Sequence, residues 1–157
     1  MNEANEARRR AIDANKATWS LLEKADRTPE ETARMIGTAH ASLAAWEKTG
    51  GPTEAQRGNW LIARVYLDAG HADAAMEFAR RTMELTKAHK AILADFDLAF
   101  AKEIAARAWA ANGNLARARE HYDGARMLGE AIADPGDKAE FFRQFALPPW
   151  FGLEAEP

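Results

Sequence analysis

Two stretches of this sequence superimpose without a gap: Ala63-x-x-Tyr66-x-x-x-Gly70-x-x-x-x-Ala75 and Ala106-x-x-Trp109-x-x-x-Gly113-x-x-x-x-Ala118. Each runs small, aromatic, glycine, small at the same offsets. Alanine lets two antiparallel helices approach closely, an aromatic ring fills the wedge beside them, and glycine permits the tight turn between them. A duplicated helix hairpin is the simplest fold that needs these three residue types at these four positions.

The rest of the chain is consistent with helix. Its 157 residues are rich in Ala, Glu, Arg, Leu and Lys, and most Gly and Pro fall between apolar-periodic stretches rather than within them. The expected fold class is all-α, with six or seven antiparallel helices and no sheet. The first helix is expected from about Glu3 to Ala25, with Ile12, Trp19 and Leu22 on its apolar side. Thr28-Pro29-Glu30-Glu31 combines a capping hydroxyl, a first-turn proline and a glutamate three residues past the cap, so a second helix starts there. It runs through Met35, Ile36, Leu43 and Trp46 to the break at Gly50-Gly51-Pro52. Thr53, with Gln56 three residues on, is read as the next cap, and its helix ends at Gly70. No Gly or Pro occurs between Gly70 and Gly113, a span too long for one helix in such a domain. A turn is therefore placed between Ala88 and Ala94, with Asp95 or a neighbour capping the next helix. Asn112-Gly113-Asn114 marks another turn, a helix runs from Leu115 to about Ala133, and Asp134-Pro135-Gly136 breaks it. Phe141, Phe142 and Phe145 lie on a short last helix, and Trp150 and Phe151 of the proline-containing tail are expected to pack on the last hairpin.

These hairpins resemble the tetratricopeptide repeat. The segments HADAAMEFARRTMEL and NLARAREHYDGAR are similar to its second helix, although the turn glycines stand 43 residues apart where the repeat has a period of about 34. Longer stretches, from Arg27 to Gly70 and from Asp95 to Gly113, resemble a bacterial family of tetratricopeptide-like proteins with no assigned activity. The resemblance implies a short superhelix: a degenerate hairpin over 3–52, hairpins over 53–87 and 95–133, and a capping helix and tail over 137–157. It also implies that the first helix of each hairpin lines a concave groove. That places Arg57, Trp60 and Arg64, and then Phe100, Glu103 and Arg107, on a binding face, each set forming one helical stripe. Arginines beside aromatics can hold a carboxylate or a peptide backbone while the rings supply apolar contact. The expected function is a non-catalytic protein- or peptide-binding module whose partner carries acidic groups or a C-terminal carboxylate.

Other classes find less support. A net charge of -3 gives no global attraction for nucleic acid or an anionic membrane. Residues 28–47 can be laid on a helix-turn-helix, which makes a DNA-binding regulator the alternative reading, but the recognition helix would present Ala39 to Ala45 with no long polar side chain for a base edge. With no cysteine, thiol chemistry and Cys-ligated metals are excluded. His40, His71, His89 and His121 follow no ligand spacing, so no metal or cofactor is expected. His40 and Ser42 are two apart on a helix and face different ways, so no catalytic pair is read there. The N-terminus lacks an apolar core and no apolar run spans a bilayer, so the chain is read as cytoplasmic. Aromatics near both ends suggest self-association as a homo-oligomer.

Overall fold

The computed structural model describes residues 2–153. Residues 154–157 of the expected capping unit lie outside them. Seven helices succeed one another, with no strand among the described residues: α1 Glu3–Leu22, α2 Pro29–Trp46, α3 Pro52–Ala69, α4 Ala72–Ala88, α5 Asp95–Ala111, α6 Leu115–Glu130 and α7 Pro135–Phe145.

Capping chemistry sets most starts. The Thr28 hydroxyl accepts from the Glu31 N–H, and the Glu31 carboxylate accepts in return from the Thr28 N–H. Asn114 and Asp134 cap α6 and α7 through their side-chain oxygens. Two starts differ from expectation. Helix α3 begins at Pro52, one residue before Thr53, because Glu54 accepts from the Gly51 N–H at 2.8 Å; Gln56 is buried and donates to Thr86 and to the Asp97 carbonyl. Helix α5 is capped by Asp97, which accepts from the Ala94 N–H, while Asp95 accepts from the Ala133 N–H across the stack.

Two ends also come early. Helix α1 stops at Leu22 rather than Ala25, because the Arg27 guanidinium takes the carbonyls of Leu21, Leu22 and Lys24 that further turns would have used. Helix α6 stops at Glu130, which lets Ile132 turn into the core before the Ala133 N–H reaches Asp95.

The two duplicated turns are the same structure. Gly70 and Gly113 have φ of 83° and 85°. In each, the glycine N–H bonds three residues back and the next N–H five back, to Leu67 and Tyr66 in one case and Ala110 and Trp109 in the other. This double bond pattern closes a helix through a left-handed residue. A side chain at such a φ costs roughly 1–2 kcal/mol. Gly70→Ala and Gly113→Ala are each expected to lower stability by about 1 kcal/mol. Gly37→Ala has the opposite expectation, a gain of about 0.5–1 kcal/mol, because Gly37 sits inside α2 with open space around it. Urea unfolding of the three variants checks the signs.

The helices pair as α1 with α2, α3 with α4 and α5 with α6, and successive pairs touch through α2 and α3 and through α4 and α5. In addition α3 packs on α5, and α5 on α7. Alternate helices therefore form one layer (α1, α3, α5, α7) and the others a second (α2, α4, α6). Small residues make the close approaches: Ala7, Ala11 and Thr18 on α1, Ala75, Ala79 and Thr82 on α4, and Ala118 and Ala125 on α6. Helices α3 and α5 are buried around most of their circumference. The apolar core divides into a cluster on α2 to α5, which includes Ile104 and Ala108, and another on α5 to α7 and the tail, and Phe100 packs against both.

Candidate groove on the first-helix layer

An aromatic ladder crosses the layer of α1, α3, α5 and α7. Trp19 lies 6.0 Å from Trp60, Trp60 lies 5.4 Å from Phe100, and Phe100 lies 4.9 Å from Phe141. The four rings occur at intervals of 40 or 41 residues, one per helix of the layer. Beside the ladder opens a cleft of 310 Å³ lined by Asn15, Trp19, Arg57, Trp60, Phe96 and Phe100, with Gln56, Leu61, Asp97, Glu140 and Gln144 completing its wall. Four of its eleven lining residues are aromatic and six are polar or charged.

The structure divides the six residues read from the sequence. Arg57, Trp60 and Phe100 line the cleft. Arg57 is half-exposed and makes a two-bond fork to the buried Asp97 carboxylate, both at 2.9 Å. Its guanidinium also lies over the Phe96 ring. The hydrogen bonds to Asp97 raise the Arg57 pKa further above its usual value, against the opposing effect of burial.

Arg64, Glu103 and Arg107 are not on an open groove. Their relative exposures are 5%, 0% and 0%, and they form a charged cluster beneath Trp60. The Trp60 Nε1–H donates to Glu103 Oε1 at 2.9 Å, and Arg107 Nε bonds the other carboxylate oxygen of Glu103. Arg107 then donates to the carbonyls of Leu147, Pro149 and Gln144, and Arg64 to that of Pro148. The Trp150 ring covers Arg107 with its centroid 4.0 Å from Cζ. The arginines hold a peptide backbone, and that backbone is the chain's own tail. At the outer edge Arg64 and Arg27 flank Asp68 at 3.2 and 3.7 Å. Burial raises the Asp68 pKa, with the flanking arginines opposing it, and burial likewise lowers the Arg107 pKa from its very high normal value.

The sequence reading missed Trp19, Asn15 and Phe96 as wall residues. The 41-residue step from Trp19 to Trp60 was the available signal, and Phe96 stands one helical turn before Phe100. A second depression, of 380 Å³, adjoins the cleft and shares Asn15 and Arg57 with it. It is lined by Arg8, Ile12, Lys16, Ser42, Trp46, Glu54 and Gly58, and Arg8 lies over the Trp46 ring at 5.6 Å.

The helix-turn-helix reading loses its motif, because residues 29–46 form one unbroken helix without a turn. His40 points inward, its Nε2 2.8 Å from the Tyr66 hydroxyl and its ring edge-on to Phe78, and burial lowers its pKa. Ser42 donates instead to the Ala11 carbonyl, so the two make no nucleophile and base. Among the described residues no three His, Asp or Glu side chains gather as metal ligands, and no helix is long and apolar enough to cross a membrane. The tail aromatics pack in cis: Trp150 contacts Tyr122 and Phe145, and Leu153 is buried. Phe151 stays 38% exposed. No family model, no curated protein and no solved structure matches the chain.

Proposed function

We propose that the chain is a non-catalytic module of tetratricopeptide-like type that binds a segment of another protein in the cleft beside the aromatic ladder. The observation that carries this is the cleft itself: four rings from three helices, open to solvent, whose two carboxylates, Asp97 and Glu140, are each held in a fork by an arginine. At 310 Å³ the cleft has room for one or two apolar side chains of a peptide and lies at the lower end of the about 300–1,000 Å³ of small-molecule sites, but it stands open to solvent where such sites enclose most of the ligand. Helices held by packing present the rings with little ordering cost on binding, and a few buried aromatic anchors dominate affinity at such surfaces. The two-layer order of hairpins, with α7 closing the first-helix layer, supports the short superhelix with a capping helix.

The cleft can be closed without disturbing the core, because Asn15 is half-exposed and makes none of the hydrogen bonds that hold α1 to α2. Peptides selected from a displayed random library on the native protein should lose binding at least about tenfold on Asn15→Trp, a difference of about 1.4 kcal/mol. The variant's helical circular dichroism and unfolding midpoint should stay native. Peptides that bind both proteins equally would place the site elsewhere, and a library that yields no binder would count against the function.

A further inference from the structure

The depression next to the cleft differs from it in charge. Arg8, Lys16 and Arg57 converge on it, and Glu54 is the single carboxylate in its wall. Glu54 is already engaged with the Gly51 N–H at 2.8 Å, and Arg57 with Asp97. Arg8 and Lys16 have no ion-pair partner among the described residues; Arg8 only rests over the Trp46 ring. Two uncommitted cations thus stand on one face of α1, two turns apart, in a chain whose net charge is -3. Trp19 continues the same face into the aromatic cleft one turn further on.

We propose that the cleft and the depression form one continuous site for an acidic segment of a partner protein. An apolar or aromatic side chain of the segment enters beside Trp19, Trp60 and Phe100, and carboxylates within the next few residues meet Lys16 and Arg8. The proposal rests on the peptide-binding reading given above and adds the chemistry of the partner. Charge complementarity selects an acidic protein segment over a nucleic acid: of the three cations lining the depression only Arg8 and Lys16 are outside an ion pair, whereas nucleic-acid affinity is built from many phosphate contacts. Two carboxylates at one end of an otherwise apolar segment match that number.

The test uses the full chain and fluorescence polarisation with labelled synthetic peptides: those selected from the library, their counterparts with every Asp and Glu replaced by Asn and Gln, and a thymidine oligonucleotide. The acidic peptides should bind about twofold to thirtyfold tighter than the amide forms, the range expected for two exposed ion pairs. That margin should vanish in Arg8→Gln, Lys16→Gln and shrink with added salt, whereas Asn15→Trp should weaken acidic and amide forms alike. Selected peptides without acidic residues, equal binding of the two forms, or tighter binding of the oligonucleotide would overturn the acidic partner and leave the cleft reading standing. Selected peptides unaffected by Asn15→Trp would overturn both.

Discussion

Arg107→Ala is expected to lower folding stability by about 3–5 kcal/mol, the range for removing one member of a buried ion pair. Domains of this size are stable by only about 5–15 kcal/mol, so the variant should sit near the edge of folding at room temperature. The reason is how much converges on one guanidinium. Its Nε neutralises Glu103, which has no exposure to water, and its two terminal nitrogens satisfy three carbonyls of residues 144–149. Truncation leaves a buried carboxylate with Arg64 at 3.8 Å and Trp60 as its remaining partners. It also frees the tail carbonyls and takes away the cation beneath Trp150. Arg107→Lys should recover little, because an ammonium cannot span Glu103 and the tail as a planar fork does. Arg107→Met combined with Glu103→Gln should be more stable than Arg107→Met alone, since the second change removes the orphaned charge and keeps an acceptor for Trp60. Guanidinium unfolding followed by tryptophan fluorescence distinguishes these outcomes, and limited proteolysis should show the 147–153 segment becoming susceptible in Arg107→Ala. A double variant no more stable than the single one would show that the buried charge is not what the arginine is there to balance.

The same arginine shows where sequence reading stops. Arg57, Trp60 and Arg64 do share a stripe on α3, and Phe100, Glu103 and Arg107 share one on α5, so helical spacing was enough to group them. Spacing cannot say how far along a helix its face stays open. The first members of each stripe border the cleft, and the last members run under residues 144–150, whose fold-back carries no periodicity and is fixed by carbonyls that every residue possesses. The turns were legible because their chemistry is local: Gly70 and Gly113 adopt a φ that other residues resist, and Thr28, Pro29 and Glu31 make a cap within four residues. Helix ends were less so, since α1 is stopped by Arg27 reaching back over its last carbonyls and α6 by a bond to Asp95 on another helix. The cleft was half legible. Its rings sit at a step of 40 or 41 residues, but Trp19 belongs to a hairpin without the glycine turn that marks the other two, so the step is visible only when the layer is assembled.

Gly129→Ala is expected to destabilise the protein by about 1–3 kcal/mol, although alanine is the better helix former by about 0.5–1 kcal/mol. A Cβ at Gly129 would lie 2.3 and 2.6 Å from Cε1 and Cδ1 of Phe141, and 3.1 Å from Cζ of Phe142. The Phe141 ring cannot swing aside. It is fully buried, with Phe100 edge-on at 4.9 Å, Phe142 edge-on at 5.2 Å and Phe145 stacked at 5.3 Å. The added methyl must push α7 off α6 or rotate a ring held on three sides, and overpacking outweighs the helix propensity. Phe141→Leu alone should also destabilise, by leaving a cavity. Combined with Gly129→Ala it should lose less than the two single losses added together, because the smaller side chain vacates the space that the new methyl needs. Phe141 is also the rung that supports Phe100, whose ring lines the cleft. Displacement of α7 should therefore weaken peptide binding in Gly129→Ala, and the Phe141→Leu change should restore part of it. Unfolding and polarisation measurements on the four proteins of this cycle read stability and binding separately; strictly additive losses in stability would mean that the glycine is not what lets α7 seat against α6.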